Sequence, residues 1–243
     1  KMYDAAAAKA GSTDREALMA NADAVPMESL KFFDDFLNHN VDSRRPFWQL
    51  AMGGVFDRHP NLKLILTELR VDWIPATLAH LDAIYEENKD SLPAKRKPSE
   101  YFHSHTLAGA SFMHKVEVGM RNEIGLETIA FGRDFPHPEA TWPHTKLWLR
   151  DMFEGIPEQD CRMILGENVI RFLGLDRERL VEIAKRIGPS IEEINGGGEP
   201  VPAELLENFM QRGGYLKPAE GAGKLPLVDE LLQVDIPAMA GKE

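Results

Sequence analysis

The chain has 243 residues, of which 43% are hydrophobic, and its formal net charge at pH 7 is -11. That hydrophobic fraction predicts a folded core and excludes a disordered polymer. The excess of acidic residues repels nucleic acid and anionic lipid, so neither nucleic acid nor a membrane is expected as a partner. The sequence contains no run of the roughly 20 apolar residues that a membrane helix needs.

Cys161 is the single cysteine of the chain, which excludes an intrachain disulfide. Its place in a predicted helix favours a small buried apolar side chain over a nucleophile. The polar, Ala-rich N-terminus lacks the apolar segment of a secretory signal. We therefore expect a soluble protein in a reducing, cytoplasmic setting. The chain begins at Lys1 rather than at a methionine, which hints that an earlier segment precedes it.

Two helices are predicted before residue 60. Residues 26–40 and 46–58 both carry apolar side chains at helical spacing. His59-Pro60 is expected to end the second helix, because the residue before a proline avoids the helical conformation.

Beyond residue 60 short apolar runs alternate with amphipathic helices. Three strands are predicted, and the first has the continuous apolar run of a strand that is buried on both faces, as in a parallel barrel. The predicted strands are residues 62–67, 101–107 and 128–132. The predicted helices are residues 73–88, 113–124, 144–153 and 158–173.

Strands that alternate with helices predict repeated βα units and a parallel sheet, hence an α/β fold. Only three such units are visible, whereas a closed barrel has eight strands. We predict an irregular N-terminal segment (1–25), a partial (β/α) barrel (26–175) and a C-terminal helical and Pro/Gly-rich extension (176–243). The extension is expected to wrap a surface or to make dimer contacts.

Parallel βα folds bind their ligands beyond the carboxyl ends of the strands. The densest collection of ionisable and aromatic residues follows the third predicted strand, and Asp134 comes directly after it. A carboxylate without a partner is costly there. Asp134 can bind a divalent metal and take a proton from metal-bound water. A salt bridge to an arginine, or an N-cap of the next helix, fits its position equally well.

The other candidates stand at or near the same strand ends. Glu68 follows the first predicted strand. Its position is consistent with a catalytic base, a metal ligand or the ion-pair partner of Arg70. His105 fits a ligand or a substrate contact, although a lone histidine is more often structural. His137 and His144 lie among prolines, in rigid turns that either present a side chain to a cleft or shape the loop.

Three ordered motifs resemble one known family. Residues 53–68, with Trp73-Ile74-Pro75, resemble the sixth-strand region of the amidohydrolase-related family that includes aminocarboxymuconate-semialdehyde decarboxylase. Residues 131–139 resemble its eighth-strand motif, and residues 164–172, with Ile-Leu-Gly-Glu-Asn, resemble its closing helix. Together with their connections they span about residues 46 to 175.

The resemblance implies a distorted TIM (β/α)8 barrel that holds one divalent metal, usually zinc. It implies hydrolysis or non-oxidative decarboxylation of a small carboxylated or carbonyl substrate. Asp134 matches the family's metal ligand after strand eight and, with Glu68, is the expected catalytic residue. The residues expected to line the substrate side are His105, Arg133, His137 and Trp142.

The chain departs from the family pattern at four points. In the family, a His-x-His pair after strand one also binds the metal. This chain has no such pair at that position, because His103-Ser104-His105 has the spacing but falls at strand seven. The histidine after strand five has no counterpart either. Glu68 stands where many members have a catalytic histidine, and Arg133 replaces the usual small residue before Asp134.

Two explanations account for these departures. In the first, which we favour, the chain supplies one part of a barrel, and a complementary barrel segment or subunit, or a homo-oligomer, completes it. The open sheet edges of a half barrel would otherwise invite aggregation. In the second, the metal site has been lost, and the chain is a non-catalytic scaffold or partner subunit.

Overall fold

The computed structural model describes residues 41–111, 113–133, 135, 142–195, 200–210 and 221–241. The chain divides into two units after Asn40, and all described residues lie in the second, Val41–Glu243. The irregular segment predicted at residues 1–25 and the helix predicted at residues 26–40 therefore lie outside the described residues.

Three parallel strands form one sheet in the order β1 (Leu64–Leu69), β2 (Thr106–Ser111) and β3 (Ile129–Gly132). Leu64 lies opposite Thr106, and Ala108 lies opposite Ile129. Parallel neighbours need crossover connections, and helices supply them here. The predicted alternation of strands and helices is thus confirmed, and the carboxyl ends of all three strands meet at one edge of the sheet.

The helices precede, connect and follow these strands. Before β1 come α1 (Arg45–Met52) and α2 (Val55–Arg58), and between β1 and β2 come α3 (Ile74–Asn88) and α4 (Pro98–His105). The connection from β2 to β3 contains α5 (Lys115–Gly119) and α6 (Arg121–Ile124). After β3 come α7 (Thr145–Phe153), α8 (Glu158–Arg162), a π-helical segment (Met163–Glu167) and α9 (Asn168–Leu173). The C-terminal helices are α10 (Arg177–Ile187), α11 (Ile191–Ile194), α12 (Ala203–Met210) and α13 (Leu225–Met239). Among the described helices, none has the combined length and apolar character that crossing a bilayer requires.

The helix predicted at residues 46–58 is two helices, because glycine interrupts it. Gly54 has a left-handed φ of 65°, and a Cβ at this position would lie 2.9 Å from the carbonyl oxygen of Pro93. Only glycine adopts this conformation without strain and fits this space. The helix predicted at residues 113–124 is likewise divided, with Met120 between its two parts.

The strand predicted at residues 101–107 is wrong for most of its length. Pro98 opens α4, and Glu100 accepts a hydrogen bond from the backbone N–H of Lys97 at 3.0 Å. Proline in the first turn and a glutamate that caps the start are both helix-start signals. They outweigh the strand preference of Tyr101, so β2 begins only at Thr106.

Successive side chains of a strand point to opposite faces, and the two faces of this sheet differ. Leu66, Ala108 and Ile129 share one face and belong to the main hydrophobic core, together with helical residues such as Trp48. On the other face Ile65 is 41% exposed. The prediction that the first strand is buried on both faces is therefore wrong for β1.

The Asn168 side chain connects α9 to β3 by hydrogen bonds. Its side-chain amide is fully buried and donates to the carbonyl oxygens of Leu126 at 2.7 Å and Ile129 at 2.8 Å. The side-chain oxygen of Asn168 accepts from Arg171 at 3.2 Å. This amide joins α9 to the start of β3.

Asn168→Ala is expected to lower the free energy of unfolding by about 3 kcal/mol, because it leaves the carbonyl groups of Leu126 and Ile129 without their donor. Urea denaturation followed by tryptophan fluorescence measures this. Asn88→Ala is the matched control, since the Asn88 amide donates only within its own helix, to the carbonyl of Ile84. Equal losses in the two variants would contradict the bridging role of Asn168.

Candidate functional site

The carboxyl ends of β1, β2 and β3 form one edge of the sheet, which we call the carboxyl edge. Glu68 and Leu69 are the last residues of β1, and residues 70–73 follow it. His114 lies in the connection after β2, and Arg133 follows β3. Neighbouring strands are about 4.8 Å apart, so the ends of β1 and β3 are about 10 Å apart. A small substrate can span this distance.

Glu68 has an unusual backbone conformation at this edge. Its φ is 58°, in the left-handed region, and the pairing of β1 with β2 shifts register between Thr67 and Leu69. A residue with a Cβ adopts this conformation at a cost of about 1–2 kcal/mol. Strained residues persist where their surroundings fix them, and they are frequent at functional sites. Glu68 is exposed, so its carboxylate stands at the carboxyl edge in contact with solvent.

Arg70, Asp72 and Glu117 form a buried ion cluster, and two of its members lie within four residues after Glu68. The Nε atom of Arg70 lies 3.1 Å from Oδ1 of Asp72 and 3.5 Å from Oε1 of Glu117. All three residues are at most 5% exposed. Arg70, which the sequence offered as one partner of Glu68, thus forms ion pairs with two other carboxylates.

Glu117 joins the loops that follow β1 and β2. Its two carboxylate oxygens accept hydrogen bonds from the backbone N–H of Val71 at 2.6 Å and of His114 at 2.8 Å. Burial raises the pKa of the Glu117 carboxyl, while the charge of Arg70 and the two N–H donors act in the opposite direction. Sequence reasoning missed Glu117, although a glutamate three residues after His114 at a helix start is a recognisable capping signal.

An open cavity of about 360 Å³ lies where the chain continues beyond β3. Its lining residues are Arg133 and residues 142–147, which include Trp142, His144 and Lys146. The Arg133 guanidinium lies 4.9 Å from the ring centroid of Phe135, and the Phe135 and Trp142 rings are 6.2 Å apart. The cavity wall therefore contains the Arg133 guanidinium and the Trp142 ring, and the Phe135 ring lies close to both.

The two long cations of this cavity differ in their partners. Lys146 pairs with Glu193 at 2.6 Å. The Nε atom of Arg133 is buried and has no hydrogen-bond partner in the part of the chain that the structure describes. Arginine binds carboxylates with two parallel hydrogen bonds, so Arg133 is the better candidate for an anionic ligand.

His105 lies at the opposite end of the sheet from these residues. It is the last residue of α4 and directly precedes β2, because a helix occupies most of the predicted strand. Its ring centroid is 4.5 Å from that of Phe56, and its Nδ1 is 2.7 Å from the Ser104 hydroxyl. Burial lowers the pKa of His105, and the charge of Arg96 lowers it further. The structure does not bring His105 together with Glu68.

The candidates Asp134 and His137 lie outside the described residues. Among the residues that the structure does describe, no three His, Cys, Asp or Glu side chains are grouped as a metal site would require. Asp72 and Glu117 instead surround a buried arginine. The described part of the carboxyl edge therefore does not by itself fit a metal ion.

A comparison of Glu68→Gly with Glu68→Ala isolates the backbone strain at this position. Both variants remove the carboxylate, but only glycine adopts a φ of 58° without a Cβ penalty. Glu68→Gly is expected to be more stable than Glu68→Ala by about 1 kcal/mol, measured by urea denaturation. If the alanine variant proved as stable as the glycine variant, Glu68 would not be strained.

A protein-family model matches this chain. The family model described as amidohydrolase matches residues 39–175, which is more than half of the chain. No curated protein matches the sequence. Among solved structures, 5-carboxyvanillate decarboxylase from Sphingomonas paucimobilis is 25% identical, with a TM-score of 0.43. A dihydroxybenzoic acid decarboxylase from a Polaromonas species, with bound manganese and the inhibitor 2-nitroresorcinol, is 28% identical, with a TM-score of 0.41.

Each of these alignments covers 52% of this chain and 38% of the solved chain. The family model covers residues 39–175 of this chain. It includes all three strands and the helices that connect them. It also confirms the resemblance carried by the three sequence motifs. The chain belongs to the amidohydrolase family.

Proposed function

We propose that this chain is part of a metal-dependent amidohydrolase-type enzyme that hydrolyses, or decarboxylates without oxidation, a small carboxylated or carbonyl substrate. Membership of the amidohydrolase family supports an enzymatic role. One observation carries the proposal. Strained Glu68 and the Arg133 cavity stand at the carboxyl edge of one parallel sheet, where βα enzymes place their active sites.

Arg133 and Trp142 are proposed to bind the substrate. Leaving a buried N–H donor without an acceptor costs about 1–3 kcal/mol, and a substrate carboxylate at Arg133 Nε would remove that cost. The exposed ring of Trp142 offers a flat apolar surface beside this cation. A planar carboxylated substrate would satisfy both features.

Glu68 is proposed to transfer the proton. The strand ends that carry Glu68 and Arg133 are about 10 Å apart, so a substrate whose carboxylate binds at Arg133 could extend toward Glu68. In hydrolysis Glu68 would accept a proton from the attacking water. In decarboxylation its protonated form would deliver a proton to the carbon that loses carbon dioxide.

Asp134 is proposed as the metal ligand, and His137 is proposed as a residue that contacts the substrate. A divalent metal, zinc by the usage of the family, would polarise the substrate and lower the pKa of bound water. The described residues do not complete such a site, so the proposal requires ligands from other protein segments. His105 is proposed as a structural residue, because it is buried at the opposite end of β2.

A complementary barrel segment or a second copy of the chain is the proposed partner. Ile65 of β1 is 41% exposed on the face opposite the main core. Apolar strand residues of this kind are normally covered in a parallel barrel. The buried thiol of Cys161, whose pKa burial raises, suits the cytoplasmic setting that we propose.

Arg133→Met is expected to weaken the binding of benzoate, used as a carboxylate probe, by about 10- to 100-fold. A charge-assisted hydrogen bond contributes about 1.5–3 kcal/mol, and methionine keeps the apolar part of the side chain. Isothermal titration calorimetry at neutral pH measures the dissociation constant.

Lys146→Met is the matched control for this test. Lys146 lines the same cavity, but its ammonium group pairs with Glu193. We expect less than about a fivefold change in benzoate affinity, because surface ion pairs contribute about 1 kcal/mol or less. The carboxylate site would be refuted if benzoate did not bind the unsubstituted chain, or if both variants lost the same affinity.

A further inference from the structure

The C-terminal helix α13 lies beyond the part of the chain that matches the family, which ends at residue 175. It is nevertheless integrated into the fold. Val228 is 0% exposed and Leu232 is 4% exposed, and both belong to the main hydrophobic core. Three carboxylates also mediate contacts between residues 221–239, which we call the strap, and earlier parts of the chain.

Asp235 fixes the strap to α1. It is 4% exposed and accepts hydrogen bonds from Arg45 at 2.7 Å, from the Trp48 indole at 2.8 Å and from Gln49 at 3.0 Å. Burial alone raises the pKa of the Asp235 carboxyl, but these donors outweigh it and leave the pKa below its ordinary value. The charged form of Asp235 is thus part of the helix contact.

Two further contacts lie nearer the start of the strap. Asp229 lies 2.5 Å from Nε2 of His80 on α3. The backbone N–H of Gly221 donates to Oδ2 of Asp72 at 3.0 Å. Since Asp72 pairs with Arg70, the strap directly contacts the buried ion cluster at the carboxyl edge.

Trp73, at the far end of the loop after β1, is also connected to the strap, through residues at the start of α1. The Arg44 guanidinium lies 4.3 Å from the centre of the Trp73 ring, and the Trp73 indole donates to the carbonyl oxygen of Arg70. Arg44 is next to Arg45, which holds Asp235. Residues 70–73 therefore contact the strap directly at Asp72 and indirectly through Arg44.

We propose that the strap holds residues 70–73 in place and thereby keeps Glu68 in its left-handed conformation. Asp235 and Asp72 are the positioning residues of this arrangement. A strained conformation persists only where its surroundings fix it; residues 70–73 are buried, and Asp72 is hydrogen-bonded to the strap. This inference concerns the described contacts alone and does not depend on the substrate or metal proposed above.

Hydrogen–deuterium exchange of the full chain tests the proposal. Asp235→Asn is expected to make the amides of residues 69–73 exchange about tenfold faster, because losing the buried charge loosens the strap. Amides of β3 are expected to keep their rates. Val234→Ala is the matched control on the same helix, since Val234 is 64% exposed, and it is expected to leave residues 69–73 unchanged.

Gln49→Met provides a milder variant in case Asp235→Asn unfolds the chain. It removes one donor to Asp235 and keeps the length of the side chain. We expect about threefold faster exchange at residues 69–73, with β3 unchanged. The proposal is overturned if this variant speeds exchange only within α1 and α13, or equally throughout the sheet.

A double variant distinguishes positioning from general stabilisation. Glycine at position 68 has no strain for the strap to maintain, so Glu68→Gly is expected to reduce the response of residues 69–73 to Gln49→Met to less than about half. Independent structural roles predict additive effects. An unchanged response in the Glu68→Gly background would contradict the link between the strap and Glu68.

Discussion

The carboxyl edge depends on one interaction, the buried contact of Arg70 with the carboxylates of Asp72 and Glu117. Removing three ionisable groups from water is costly unless each finds partners, so the loops that carry them have little freedom to move. The carboxylate oxygens of Glu117 accept hydrogen bonds from the backbone of two loops. The Asp72 carboxylate accepts one from the backbone of the C-terminal segment. The ends of β1 and β2 and the C-terminal extension are thereby fixed to one another.

These contacts lie directly beyond a strained residue at the end of β1. Glu68 adopts a conformation that few residues with a Cβ adopt, and the chain immediately after it turns into the buried ion cluster. At the end of β3, on the same edge of the sheet, Arg133 and Trp142 line an open cavity. One parallel sheet thus carries Glu68 and Arg133 at strand ends that are about 10 Å apart, on the edge where βα barrels place their active sites.

The sequence predicted local features well and long-range ones poorly. The apolar runs located β1 and β3 because a buried strand has a recognisable composition. The strand predicted at residues 101–107 is mostly helix, because a proline and a glutamate at the helix start outweighed the strand preference of the aromatic residues. Arg133 and Glu68 were predicted at strand ends, where the structure places them. The partners of Asp72 and Asp235 could not be predicted, because hydrogen bonds between residues 149 and 187 positions apart leave no local pattern.

The metal content of the purified protein, together with any polypeptide that co-purifies with it, tests most directly whether the carboxyl edge is a metal-dependent active site. Inductively coupled plasma mass spectrometry should find about one divalent metal per assembly. Asp134→Asn should lose this metal and keep the circular dichroism of the unsubstituted protein, whereas the exposed carboxylate variant Asp90→Asn should keep both. A folded assembly without metal, or a metal that Asp134→Asn does not displace, would contradict the assignment.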